Sequence, residues 1–258
     1  MKICLLGSGS KGNSIYIENR STAIIIDQGF SYIELKRRLE SRGLDESKIN
    51  GILVTHEHDD HIRGAGVTAR KLGIPVYGTK GTLYSKKNIF NGDETLNTIE
   101  RGTPFTVGSM EILPFTVSHD AVDPVQFRIS AGKKKISVAT DLGYVSNLVT
   151  ECIRNSDIVI VEANHDVEML KNGPYSWELK QRIMSRTGHL SNRNAAETLF
   201  NVSSKRTGLR AVLVHLSEEN NRADLAEKEV RDLFKSFDRP IRQLVIATQN
   251  EATEIIDV

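Results

Sequence analysis

Residues 52–61, Ile-Leu-Val-Thr-His-Glu-His-Asp-Asp-His, constrain what this chain can fold into more than any other stretch. An apolar, strand-forming run ends abruptly in three histidines and an aspartate, and His56, His58, Asp60 and His61 spell H-x-H-x-D-H. So dense a set of nitrogen and carboxylate donors has no place in a core or a simple turn. Imidazole and carboxylate are the ligands that borderline and harder divalent metals prefer. His56 and His58 project to one side of an extended segment, whereas Asp60 and His61 lie where the chain turns into a helix-like stretch at 63–72. That spacing suits two neighbouring ions better than one.

The 258 residues suffice for one large domain with a substantial core, and no internal repeat or linker divides them, so a single domain over 1–258 is expected. A net charge of +1 argues against wholesale coating of a polyanion but leaves room for a local basic face. No apolar run reaches membrane-spanning length, and residues 1–10 stop being hydrophobic too early for a signal peptide. A cytoplasmic protein with no membrane partner is expected, with Cys4 and Cys152 as buried free thiols.

The first strand, 2–6, runs into Gly7-Ser8-Gly9-Ser10-Lys11-Gly12, a match to G-x-G-x-x-G. A dinucleotide fingerprint needs a helix after its glycines. Here 14–18 and 22–27 read as a β-hairpin, and Asn13 stands where a P-loop requires lysine. The loop is either a plain turn or a place where amides, with Ser8, Ser10 and Asn13, approach a substrate phosphate. An amphipathic helix at 31–42, helices at 63–72 and 80–89, a surface loop at 93–95 and mainly strands from 97 onward follow. Helices are expected at 146–155, 166–172, 176–186, 192–203 (with Ser191 as N-cap) and 223–236, and strands at 157–161, 242–247 and 252–257. Four strands end in a potential ligand: the strand before His56, the run 110–117 before His119, 135–139 before Asp141 and 211–214 before His215. Layered folds gather side chains from distant sequence onto one rim in this way.

His56-x-His58-x-Asp60-His61, His119, Asp141 and His215, in that order, resemble the metallo-β-lactamase superfamily, and Ile26-Asp27-Gln28-Gly29 is similar to its early aspartate motif. The resemblance implies a four-layer αβ/βα sandwich, an α+β fold of α/β texture with two mixed sheets and helices outside. It also implies that His56, His58 and His119 hold one metal, Asp60, His61 and His215 the second, and that Asp141 bridges them. Asp27 would stand behind the ligands and fix their loop. Aspartate rather than cysteine at 141 resembles the phosphodiesterase and glyoxalase-like members, not the antibiotic-degrading ones. Glu162, His189 and the following Ala195-Ala196 are similar to the nuclease branch that includes tRNase Z. Residues 7–14, 162–166 and 188–191 look like the bacterial YycJ/WalJ group, regarded as DNA exonucleases. Too few residues separate Asp141 from His215 for the inserted domain of β-CASP nucleases, and no exosite arm is evident.

Two divalent ions sharing a carboxylate would activate water at neutral pH and clamp a phosphoryl oxygen. The ligand types admit zinc, manganese or iron. His189, oriented by Glu162, is the candidate proton donor, with His165 as competitor and Asp60 counted among both ligands and catalytic groups. Residues 166–210 hold eight Lys/Arg against four Asp/Glu, including Lys180, Arg182, Arg186 and Arg193, which reads as a basic lip for phosphates or as a solvated helical face. Tyr175 and Trp177 could stack a base or simply pack. The leading expectation is a 5′-to-3′ DNA exonuclease. A small-molecule phosphodiesterase or thioesterase, and a non-catalytic metal-binding partner of a signalling complex, are the alternatives.

Overall fold

The computed structural model describes residues 1–86, 88–204 and 208–258. In chain order its elements begin β1 (Lys2–Gly7), β2 (Ser14–Asn19), β3 (Thr22–Ile26), α1 (Tyr32–Glu40), β4 (Ile49–Leu53), α2 (Asp59–Ile62) and α3 (Ala65–Leu72). They continue with β5 (Val76–Gly78), α4 (Lys80–Tyr84), β6 (Leu96–Thr98), β7 (Phe105–Val107), β8 (Met110–Thr116), β9 (Val125–Ala131) and β10 (Lys134–Ala139). Next come α5 (Asn147–Ile153), β11 (Ile158–Glu162), α6 (Val167–Asn172), α7 (Trp177–Met184) and α8 (Asn192–Val202). The last are β12 (Leu209–Val214), α9 (Ala223–Ser236), β13 (Ile241–Ile246) and β14 (Ile256–Asp257). The strands form two mixed seven-stranded sheets, β14 with β1–β6 and β7–β13, as the metallo-β-lactamase resemblance implies.

Two compact units divide the chain, one of residues 1–114, 121–134 and 247–258, the other of 115–120 and 135–246. In the first, the strand order is β14-β1-β2-β3-β4-β5-β6, antiparallel as far as β3 and parallel from β3 to β6. The segment after Gly12 is β2, paired with β1 and β3, so the glycine loop leads into the expected hairpin and no helix N-terminus is there to receive a pyrophosphate. Cys4, Leu6, Tyr16, Ile25, Leu35, Leu39, Ile52 and Val54 are buried in its core.

In the second unit, β10, β11, β12 and β13 run parallel in that order. Parallel strands covered on both faces read as unbroken apolar runs, and β11, Ile-Val-Ile-Val-Glu, is buried along its whole length. Val159, Val161, Leu199, Leu213, Val230 and Phe234 form its core. Glu162 breaks the apolar pattern at the strand's end and is itself fully buried. An ionisable group in that position needs partners that offset its desolvation.

Several expectations are corrected. The helix expected at 63–72 starts earlier and is interrupted: α2 opens at Asp59 with His58 as N-cap, and α3 follows Gly64, where a Cβ would fall on the Phe30 carbonyl oxygen. Residues 93–95 form the expected loop, with Asp93 and Thr95 exposed, but the Glu94 side chain turns inward, accepts from the amides of Asn91 and Gly92 and pairs with Arg70. The strand expected at 252–257 shrinks to the two residues of β14, since only Lys2 and Ile3 offer it a partner. The helix expected at 80–89 ends at Tyr84, and Lys87 lies outside the described residues.

Candidate metal centre

In the first unit, β4 ends at Leu53 and hands the chain to an extended segment that reaches α2 at Asp59. His56 Nε2 and His58 Nδ1 face one another at 3.0 Å. Two imidazole nitrogens so close must share a proton or a cation. His56 Nδ1 lies 2.9 Å from the Thr55 hydroxyl, and His61 Nε2 lies 3.3 Å from Asp60 Oδ2. Behind these donors stands Asp27, which follows β3 with a left-handed backbone, φ 58°. Its carboxylate accepts from the Thr55 amide at 2.8 Å and the Thr55 hydroxyl at 2.8 Å, and Oδ2 lies 2.7 Å from His61 Nδ1. Burial pushes the Asp27 carboxyl above its ordinary range, opposed by His61 and Thr55. A carboxylate on Nδ1 orients the ring and leaves Nε2 as the donor, the arrangement that metal-binding histidines use.

Asn13 has a larger part than a phosphate contact. Its amide nitrogen lies 3.1 Å from both Asp60 Oδ2 and His61 Nε2, its oxygen accepts from Ser8 Oγ and the Gly9 amide, and its backbone N–H donates to the Asp60 carbonyl at 2.7 Å. A Cβ at Gly29 would fall on that same carbonyl oxygen, so the ligand turn rests on a glycine. Gln249 holds the glycine loop, accepting from the Lys11 amide and donating to the Gly12 carbonyl. Ser10 is exposed. Nothing in the sequence pattern singled out Thr55 or Gln249, and Asn13 was visible as a candidate phosphate contact rather than as the residue that holds the ligand turn.

The second unit carries its own cluster. Asp141, Glu162, His189 and His215 each offer a ligand atom, and these atoms all lie within 4.8 Å of one another. Asp141 and His215 follow β10 and β12 with φ of 50° and 56°, conformations in which Asp and His are several-fold enriched over most non-glycine residues. His215 Nδ1 is 3.1 Å from Asp141 Oδ1 and 3.5 Å from Glu162 Oε2. Glu162 Oε2 lies 2.9 Å from His189 Nδ1, while Oε1 accepts from the amides of Leu142 at 2.7 Å and Leu190 at 3.1 Å. Burial alone would raise the Glu162 carboxyl, but the His189 charge and the hydrogen bonds from His189 and His215 outweigh it and hold the group ionised. His189 moves the other way: burial lowers it, yet Glu162 raises it above the ordinary histidine value. His119, two residues beyond Val117, is buried with Nδ1 3.3 Å from the Gly188 carbonyl and Nε2 3.4 Å from Asp120 Oδ1, and burial lowers its pKa.

His165 is of another kind. It is buried with Nδ1 lacking a hydrogen-bond partner, and burial pushes its pKa down to about 4, so it is neutral at pH 7. Ser191 caps α8, accepting from the Asn194 amide, and Arg193 on that helix is exposed and paired with Glu197. Of the basic residues expected in 166–210, Lys180 is buried against the carbonyls of Lys171 and Gly173, and Arg182 is bound to Asp120. Lys205 and Arg206 lie outside the described residues.

Both donor sets fit a divalent metal: imidazoles and carboxylates with ligand atoms gathered at short range, held from behind by Asp27 in one unit and by backbone amides in the other. Residues 22–216 match the family model described as "Beta-lactamase superfamily domain". The chain is 41% identical over 229 residues to an exodeoxyribonuclease, WalJ, of Streptococcus pneumoniae, covering 87% of this chain and 85% of that one. It is 36% identical over 233 residues to the exodeoxyribonuclease YycJ of Bacillus anthracis, covering 90% and 88%. Among solved structures, the metallo-β-lactamase fold protein YhfI from Bacillus subtilis superposes with a TM-score of 0.75 over 98% of both chains, at 18% identity, which speaks to the fold alone.

Proposed function

Since the chain belongs to the metallo-β-lactamase superfamily, we propose that it is a metal-dependent DNA exonuclease that hydrolyses phosphodiester bonds from the 5′ end. The observation that carries this reading is the Glu162–His189 pair beside Asp141 and His215: a buried carboxylate holding a histidine at the edge of a cluster suited to metal. The relatives WalJ and YycJ, both named exodeoxyribonucleases, supply the substrate class. His56, His58, Asp60, His61, His119, Asp141 and His215 are assigned as ligands of two ions, drawn from zinc, manganese or iron. Bound metal supplies Lewis-acid polarisation of the phosphoryl oxygen and a water acidic enough to attack at neutral pH.

The chain's own residues do the rest. Asp27 fixes the tautomer of His61, and Asn13 fixes the turn that presents Asp60. Glu162 binds Nδ1 of His189, which leaves Nε2 to protonate the departing sugar oxygen. A ring about a fifth exposed, as His189 is at 21%, can reach a substrate oxygen, whereas buried, neutral His165 has no proton to give. Among the described residues no helix is long and apolar enough to cross a membrane. Two buried cysteines that form no disulfide and a DNA substrate favour a cytoplasmic location.

Digestion of 5′- and 3′-end-labelled single- and double-stranded DNA over a panel of divalent metals tests the reading. Release of 5′ mononucleotides by the metal-loaded protein, lost on chelation and in His58→Ala, is expected. Intact 5′-phosphorylated duplex after prolonged incubation, with no difference between the two proteins, would overturn it.

A further inference from the structure

Three loops of the second unit are stitched together around its donors. Gly143 donates to the Ser118 carbonyl at 2.9 Å, the Ser118 hydroxyl to the Arg186 carbonyl at 2.8 Å, and the Asp120 amide to the Thr187 carbonyl at 3.0 Å. Ser118 and Tyr144 also form an isolated antiparallel bridge. Each loop carries a donor: His119 in the first, Asp141 just before Gly143 in the second, His189 just after Gly188 in the third. The join is close enough to require glycine at 143, where a Cβ would fall on the backbone of Ser185 and Gly188. Its outcome is a cation–π contact at the surface. The Arg186 guanidinium carbon sits 4.1 Å above the Tyr144 ring, with Tyr144 43% exposed and Arg186 exposed.

The arginines nearby are committed elsewhere. Arg182 binds Asp120 Oδ2 through Nε at 2.6 Å, and Arg193 binds Glu197 at 3.0 Å. Among the described residues no carboxylate lies within ion-pair distance of Arg186, so its charge and its planar fork of donors face solvent. Stacking on a ring pre-orders a guanidinium and leaves its donors in plane, the form in which arginine takes a phosphate with two parallel hydrogen bonds. Tyr144 lies three residues after Asp141 and Arg186 three before His189, so the stack is within about 11 Å of the donors along either loop. A strand rises roughly 3.4 Å per nucleotide, which places it one to three nucleotides away.

We propose that Arg186, held against the ring of Tyr144, binds a phosphate of the DNA strand next to the bond being cut, and that Tyr144 is the positioning residue for it. This rests on the exonuclease reading above. The test measures kcat and KM of the metal-loaded protein on a 5′-phosphorylated DNA oligonucleotide from 50 to 200 mM salt, with bis-p-nitrophenyl phosphate, which has no neighbouring phosphate, as second substrate. Arg186→Ala should raise KM for DNA about tenfold with kcat within about twofold, and lower the slope of log kcat/KM against log salt by about 1. Arg186→Gln, which retains packing on the ring, should do the same, and covers the case in which the alanine variant folds poorly. Tyr144→Phe should behave as wild type and Tyr144→Ala should move toward Arg186→Ala. Arg231→Ala, on the outer face of α9 and paired with Glu227, should change neither substrate. A KM and salt slope for Arg186→Gln equal to wild type, in a protein that digests DNA, would overturn the proposal and leave the exonuclease standing. Turnover of the small substrate with no cleavage of DNA by wild type would overturn both.

Discussion

Replacing Glu162 by glutamine isolates the proton-transfer step. Glutamine keeps one carbonyl oxygen, enough to accept from the amides of Leu142 and Leu190 that now hold Oε1 at 2.7 and 3.1 Å. What it removes is the charge 2.9 Å from His189 Nδ1 and puts an N–H donor in its place. His189 must then present a lone pair at Nδ1, and the cation that would donate from Nε2 loses its counter-charge. General-acid assistance is worth 10²–10⁴ in rate, so cleavage of DNA, whose leaving group is a basic alkoxide, should fall by at least about a hundredfold, near 2.7 kcal/mol. p-Nitrophenolate needs no proton to depart, so kcat/KM on bis-p-nitrophenyl phosphate should fall less than about tenfold. Both rates are taken per bound metal. Loss of a charge-assisted bond costs about 2 kcal/mol, a drop in melting temperature of roughly 4–8 °C by calorimetry, which leaves the variant folded at assay temperature. Equal losses on the two substrates, or a loss on DNA below tenfold, would refute the assignment of His189 as donor.

Asp27→Asn should weaken metal retention some 10- to 100-fold in competition with a chelator, because the neutral amide holds His61 Nδ1 less firmly than the carboxylate does at 2.7 Å; metal affinity equal to wild type would separate Asp27 from the ligands. Cys4 is fully buried, and desolvation raises its pKa to about 11, so as pH rises the thiolate forms only near that value. At pH 8 the native protein should therefore show no fast reaction of Cys4 with a disulfide reagent, and both cysteines should titrate after denaturation; a rapidly labelled Cys4 in peptide mapping of the native protein would contradict the burial.

Much of the site was legible because metal ligands cluster at the ends of strands and strands announce themselves by apolar runs. Ile-Leu-Val-Thr before His56 and Lys-Lys-Ile-Ser-Val-Ala before Thr140-Asp141 are signals of this kind. Glu162 entered through the resemblance to the nuclease branch, just past the strand expected at 157–161. Less legible was what a side chain touches when its partner is far along the chain. Asn13 looked like a substrate contact because its loop resembles phosphate-binding loops, yet its amide is spent on Asp60 and His61, 47 and 48 residues away. Glu94 looked solvated because its neighbours are polar, whereas the backbone folds around it. Counting basic residues in 166–210 could not separate Arg186 from Arg182 or Lys180, since net charge says nothing about which cation is already paired.

The left-handed backbones at Asp27, Asp141 and His215 bear on how this protein should be dissected. An L-residue without a short polar side chain gives up about 1–2 kcal/mol in that conformation, so an alanine scan would add a main-chain cost to each lost donor and overstate what the imidazole or carboxylate contributes. Asparagine tolerates the same torsions and is the cleaner probe at all three. The same two demands, on torsion and on donor chemistry, leave few residue types that evolution or an engineer could install there without rebuilding the loop.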